Sequence, residues 1–157
     1  MTGIFCLRTA SDLREKLRRD MVKVKSEPLN PDVAFNFFVT AEHMLDWVYP
    51  KRANKRKRTD ARTKSPLLGV CSHLATGAKH LEVEAPHHDS VSSTGTAGGY
   101  FPASYFPPHY FSNAYFGAGR RLVVKLQGAA ARDLGPCIGV VELAEKVMDY
   151  WDKHSLT

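Results

Sequence analysis

The chain has 157 residues, of which 43% are hydrophobic, and a formal net charge of +6 at pH 7. This length and composition predict a single domain with a buried core, and no apolar run approaches the roughly 18–20 residues of a membrane-spanning helix. The sequence also lacks the apolar run of a signal peptide, and Cys6, Cys71 and Cys137 have neither CxxC spacing nor an even number. We therefore expect a cytoplasmic protein with buried thiols and no membrane partner.

Apolar periodicity predicts the first two helices. The first covers residues 11–25, where apolar residues recur on one face and basic residues fill the others. The members of that apolar face are Leu13, Leu17, Met21 and Val24. The second covers residues 30–49 and begins with Asn30 as N-cap followed by Pro31. This second helix is apolar on most faces, which is typical of a helix at the centre of a bundle.

Positive charge is concentrated in residues 51–64. This segment holds eight of the 22 lysines and arginines beside one acid, Asp60, whereas the rest of the chain has 14 basic and 15 acidic residues. We interpret it as an exposed basic loop whose field attracts phosphate. A solvated charge run without a ligand is the alternative. The predicted phosphate-binding residues are Lys51, Arg52, Lys55, Arg56, Lys57, Arg58 and Arg62.

A third helix is predicted over residues 66–82, and residues 86–119 are then predicted to form a long loop. The loop is first rich in glycine and serine and then contains Tyr-Phe pairs that begin every five residues, at positions 100, 105, 110 and 115. A period of five fits neither a helix nor a strand, and the prolines of the repeat oppose both. We expect this aromatic-rich loop to pack on the core or to form a dimer contact, with stacking of unpaired bases as the alternative.

The last predicted elements are a strand over residues 121–127 and a helix over residues 138–153. The strand sequence, RLVVKLQ, is short and contains β-branched residues. Its predicted partner in a small β-hairpin is residues 81–85. Together the elements predict a mainly α single domain over residues 1–157, a four-helix bundle-like fold with a small β-hairpin and an aromatic-rich loop.

Histidines and a carboxylate are predicted to meet between the second and third helices. His43 and Asp46 lie one turn apart on the second helix, and His73 and His80 share a face of the third, with Lys79 beside His80. A metal site, acid–base chemistry on RNA and a structural polar network are the possible interpretations. The sequence lacks Glu-x-x-His pairs, His-Glu-x-x-His and cysteine clusters. No metal or other cofactor is therefore expected, and the structural network is favoured.

The sequences VAFNFFVTAEHMLDW and VCSHLATGAKH, within residues 30–82, resemble the HEPN superfamily. They look like small uncharacterised bacterial helical proteins in which an aromatic-rich helix ends near Asp-Trp and a later helix ends in a Lys-His step, and that arrangement is in turn similar to the HEPN superfamily. The resemblance implies a helical bundle, often dimeric, that acts as a metal-independent ribonuclease in toxin–antitoxin and antiphage systems. It assigns the catalytic histidine to His80. Active members carry an arginine shortly before that histidine, where this chain has His73, Leu74 and Ala75. Other members only bind or regulate.

These patterns predict a bacterial RNA-binding protein from a defence or toxin–antitoxin context. If the protein is an enzyme, we expect a metal-independent endoribonuclease in which His80 is the acid or base, Asp46 orients it and Lys79 stabilises developing charge. His43 and His73 would complete that pocket. The alternative function is a non-enzymatic interaction module, an inhibitor or adaptor, that binds an acidic protein surface. A homodimer is expected.

Overall fold

The structure is a computed structural model that describes residues 5–79, 89–98 and 119–154, with side chains near the first gap described as far as Gly77. Within these ranges the chain forms six α-helices, three β-strands and one 3₁₀ turn. The helices are α1 (Ala10–Ser26), α2 (Pro31–Val48), α3 (Lys55–Lys64), α4 (Pro66–Lys79), α5 (Gly128–Leu134) and α6 (Val140–Lys153). The 3₁₀ turn is Arg52–Asn54, and the strands are β1 (Val91–Ala97), β2 (Arg121–Leu126) and β3 (Cys137–Gly139). The prediction of a mainly helical chain with a small β element is confirmed.

The core lies around α2, which contacts α1, α4 and α6. The predicted apolar face of α1 is buried, and each of its four members is at most 7% exposed. From α2, Phe37 and Met44 are completely buried, and from α6 Trp151 is 2% exposed. Burial of a large apolar side chain stabilises the folded state by about 1.5–3 kcal/mol. These helices therefore provide the rigid support for the surface residues described below.

A partly buried polar cluster lies between α1 and α2. Lys16 Nζ lies 2.5 Å from Asp20 Oδ2 and 2.6 Å from Thr40 Oγ1. Thr40 Oγ1 also lies 3.0 Å from Asp20 Oδ2, so each of the three groups has partners, as buried polar groups require. The cluster fixes the position of α1 along α2, because a shift by one turn would separate Thr40 from both charged side chains.

β2 is the central strand of a three-stranded antiparallel sheet with the order β1–β2–β3. Val124 of β2 pairs with Thr94 on one side and with Ile138 on the other. The prediction that residues 81–85 are the partner of β2 is wrong, because β1 and β3 occupy its two edges. Residues 81–85 themselves lie outside the described residues.

Part of the predicted loop over residues 86–119 is the strand β1. Its sequence, VSSTGTA, consists mainly of small polar residues, and its central residues are exposed. Backbone hydrogen bonds to β2, rather than an apolar face of its own, therefore hold it in place. The Tyr-Phe repeat lies outside the described residues, so its proposed packing stays a prediction.

Two further corrections concern the end of the chain. The last helix begins at Val140 rather than at residue 138, because residues 137–139 form β3. The short helix α5 was not predicted, and it ends at Gly135, whose φ of +87° is a backbone conformation that favours glycine. The third helix is described as far as Lys79.

The three cysteines are in different environments. Cys71 of α4 is buried, whereas Cys6 and Cys137 are exposed, so the expectation of buried thiols is confirmed for Cys71 alone. Burial raises the pKa of the Cys71 thiol far above its ordinary value, and the charge of Glu42 raises it further. Among the described helices, none has the length and apolar character needed to cross a membrane.

Candidate nucleic-acid interface

The basic segment predicted as a loop is mostly helical. The 3₁₀ turn Arg52–Asn54 leads directly into α3, which continues to Lys64. The segment contains neither glycine nor proline, and lysine, arginine and alanine are good helix formers. A helix holds its charged side chains at fixed spacings, whereas a loop does not.

Two arginines of α3 bind α2. Arg62 donates to Glu42 through Nε at 2.9 Å and through a second guanidinium nitrogen, and both side chains are largely buried. Arg58 lies one turn earlier, and its Nε is 3.2 Å from Asp46 Oδ1. The Arg58 guanidinium also donates to the backbone carbonyl of Tyr49, just after the end of α2. These contacts attach α3 to the second half of α2.

The Glu42–Arg62 pair has a structural role. Burial raises the pKa of Glu42, and Arg62 opposes this shift through its hydrogen bonds and its charge. Without Arg62, the carboxylate would be buried with its main counter-charge missing, which is strongly unfavourable. Arg62 and Arg58 were predicted to bind phosphate, but their guanidinium groups are already bound to α2.

The other cations of the segment are exposed. The Arg56 side chain is 93% exposed, and its Nε lies 4.0 Å from Asp60, so this pair contributes little. The exposed cations of the segment are Lys51, Arg52, Lys55, Arg56, Lys57 and Lys64. They form what we call the outward basic face. Five of the seven predicted phosphate-binding residues therefore remain available to a ligand.

Lys64 belongs to this face but was not among the predicted phosphate-binding residues. It lies seven residues after Lys57, which places both side chains on the same side of a helix. The spacing was visible in the sequence, but it carries information only once the segment is recognised as helical.

Asp46 and His73 were predicted to share a pocket, yet they lie near different halves of α2. His73 lines an apolar groove together with Phe38. Asp46 lies two turns beyond Phe38, about 12 Å further along the helix axis, and is paired with Arg58. His43 is exposed on α2. The described residues of the predicted histidine–carboxylate cluster are therefore not brought together in one pocket.

His73 instead connects α4 to the beginning of β1. Its Nδ1 accepts a hydrogen bond from the Val91 backbone N–H at 3.1 Å, which requires that nitrogen to be unprotonated. Burial lowers the pKa of His73, and the carboxylate of Asp89 opposes that shift. The helix α4 is described as far as Lys79, and the Lys79 side chain and the whole of His80 lie outside the described residues.

The apolar groove beside His73 has a volume of about 640 Å³. It lies between the first half of α2, α4 and the strands β1 and β2, and the neighbouring Phe35 side chain is 48% exposed. In the part of the chain that the structure describes, no three His, Cys, Asp or Glu residues are grouped so that they could hold a metal ion.

The chain was compared with family models, with curated proteins and with solved structures, and no match was found in any of the three. The resemblance to the HEPN superfamily therefore stays a prediction from two short sequence segments.

Proposed function

We propose that the protein binds nucleic acid, and RNA in particular, through the outward basic face of α3 and the turn before it. The observation that carries this proposal is the division of the basic segment: Arg58 and Arg62 attach it to the core, and six other cations are exposed. The core therefore presents these charges on a fixed support. A ligand that binds them does not have to order the backbone first.

The dimensions of α3 suit a short stretch of phosphates. Ten residues of helix extend about 15 Å, and phosphates along one strand follow one another at about 3.4 Å of axial rise in a duplex. About four or five phosphates of one duplex strand can therefore lie against α3, and the six exposed cations are enough to neutralise about four phosphates of a single strand. Each neutralised phosphate releases counterions, so affinity should fall steeply as the salt concentration rises.

The ribonuclease activity that the HEPN resemblance implies is a separate proposal, in which His80 supplies the acid or base. Its test is the replacement of His80 by alanine, which should abolish RNA cleavage and leave RNA binding intact. Asp46 is not proposed as its orienting residue, because the Asp46 carboxylate is paired with Arg58. We also propose that α1, α2, α4 and α6 form a four-helix bundle that supports the basic face. The protein is further proposed to be a homodimer.

The proposal is tested with a fluorescein-labelled single-stranded RNA of mixed sequence, about 15 nucleotides long. We predict a slope of about −3 for the logarithm of the binding constant against the logarithm of the salt concentration, from about four phosphates on a single strand. The variant with Lys51, Arg52, Lys55 and Arg56 changed to glutamine should bind at least tenfold more weakly and show a slope of about −1, from the exposed Lys57 and Lys64 that remain. Its thermal unfolding midpoint should be unchanged, because these side chains are exposed.

A matched control removes the same charge elsewhere. Arg19, Lys23, Arg121 and Arg132 are exposed cations outside the basic segment, and their replacement by glutamine should leave most of the RNA affinity intact. Equal weakening by both variants would show that net charge, and not the outward basic face, attracts the RNA. If the RNA does not bind at all but an acidic peptide such as poly-glutamate does, the interaction-module function replaces this proposal.

A further inference from the structure

A second groove lies between α3 and the C-terminal ends of α2 and α6. Its volume is about 470 Å³. Its aromatic lining residues are Tyr49, Tyr150, Trp151 and His154, and its charged lining residues are Lys57, Asp60 and Lys64. None of the sequence patterns pointed to this groove, because the residues come from three helices that are far apart in the chain.

The rings of the groove form a stacked surface. The Tyr150 and His154 rings are stacked, with centroids 4.0 Å apart and planes inclined by 21°. His154, at the end of this stack, is exposed to solvent. Trp151 is buried beneath and meets the Tyr150 ring edge to face at 5.1 Å. A flat aromatic ring of a ligand can extend such a stack without a change in the protein.

Cations lie next to these rings. Lys57 Nζ is 6.0 Å from the centroid of the Tyr49 ring, and Lys64 lines the same groove. With Asp60 between them, the two lysines leave one net positive charge on this side of α3. The pKa of Tyr150 is raised by burial and by the neighbouring Tyr49, so its phenol stays uncharged and does not repel an anion at neutral pH.

The groove is continuous with the outward basic face, because Lys57 and Lys64 belong to both. We propose that the groove stacks one unpaired base of a single-stranded nucleic acid whose phosphates lie along α3. This inference rests on the proposed function and narrows it to single strands with accessible bases. Aromatic rings beside cations are the usual means by which proteins hold single strands, since every base has a π-face.

Size and access exclude a duplex from the groove. A volume of about 470 Å³ is within the roughly 300–1,000 Å³ of small-ligand pockets and accommodates one nucleoside. The bases of an intact duplex are already stacked and paired, and none can enter the groove unless it leaves the helix first. A duplex of equal length would therefore contact only the outward basic face.

The first experiment changes the ligand and leaves the protein intact. A 15-nucleotide single strand is compared with a strand of the same length in which every base is replaced by an abasic site, so that the phosphates are kept. We predict that the abasic strand binds about tenfold more weakly to the unmodified protein. Equal affinity for the two strands would contradict base stacking in the groove but not phosphate binding by the outward basic face. If neither strand binds, both proposals are wrong.

The second experiment removes the open face of the stack. His154→Ala should weaken binding of the intact strand about fivefold or more and leave binding of the abasic strand unchanged. Phe35→Leu is the matched control, because Phe35 is an exposed aromatic residue remote from this groove, and it should change neither affinity. A 2-aminopurine base in the intact strand should lose fluorescence on stacking, and retention of that quenching in His154→Ala would overturn the assignment of His154.

Discussion

The inward and outward sides of α3 both carry basic residues. The inward side is bound to α2, whereas the outward side faces solvent. On the inward side, Arg58 and Arg62 have acidic partners on α2 and are mostly buried. On the outward side, the Arg56 side chain is 93% exposed, and its Nε lies 4.0 Å from Asp60. The difference shows that the charge of a segment is not a measure of its binding capacity. Among the described residues, the cations available to a ligand are those that are exposed and not held by an acidic side chain of α2.

The largest expected effect comes from Arg62. Arg62→Ala leaves Glu42 without its main partner in a largely buried position, so we predict a loss of about 2–3 kcal/mol in the free energy of unfolding. Urea denaturation measures this loss. The double variant Glu42→Gln/Arg62→Ala should recover part of it, because both charges are then removed. The RNA affinity of the folded Arg62→Ala protein should be nearly unchanged. A loss of affinity as large as that of the variant with Lys51, Arg52, Lys55 and Arg56 changed to glutamine would contradict the distinction between the inward and outward sides of α3.

Arg58 should have a smaller effect than Arg62. Its partner Asp46 is half exposed, with 51% of its side chain accessible, and solvent screens that pair. The hydrogen bond to the Tyr49 carbonyl also supports the end of α2. We predict a loss of about 1 kcal/mol for Arg58→Ala in the same denaturation measurement, and no change in the midpoint for the exposed control Arg56→Ala. Equal destabilisation by the two substitutions would contradict the orientation of α3.

A third effect, similar in size to that of Arg58→Ala, is expected in the pH dependence of the Arg62→Ala deficit. The pKa of Glu42 is raised in the folded protein above its ordinary value of 4.5, so the folded state holds this proton more tightly than the unfolded state. Its contribution to stability is therefore present at acid pH and is lost as the pH rises from 4.5 through the folded pKa. Removal of Arg62 takes away the group that opposes the shift.

We therefore predict that the stability deficit of Arg62→Ala is about 1 kcal/mol smaller at pH 4.5 than at pH 7. Urea denaturation of the unmodified protein and of Arg62→Ala at the two pH values measures this change. Subtracting the two free energies of unfolding at each pH cancels the titration of the groups that both proteins share. A deficit that is the same at both pH values would mean that Glu42 stays ionised without its arginine.

The helices of the core could be predicted from the sequence because their signals are local. The apolar spacing of Leu13, Leu17, Met21 and Val24 and the cap at Asn30 lie within the elements that they define, and the structure confirms them. The helix α3 could not be predicted in this way, since it has no apolar face. What attaches it is the contact of Arg58 and Arg62 with α2, which the local sequence does not contain.

The same reason explains the errors at the site. β1 is held by pairing with β2, which follows after more than twenty intervening residues, and the partner of His73 is the backbone of Val91 rather than a side chain on α2. Residue types identified the candidates, but their neighbours depend on contacts between distant segments. The groove beside Tyr150 has no local sequence signal at all.

The buried thiol of Cys71 provides a natural probe of how the helices separate. Alkylating reagents react with thiolates, and this sulfur is both inaccessible and held in its protonated form. With Cys6 and Cys137 changed to serine, labelling of the protein at Cys71 would require α4 to move away from α2. The labelling rate would then report the frequency of that opening around Cys71 in the folded molecule, without denaturant.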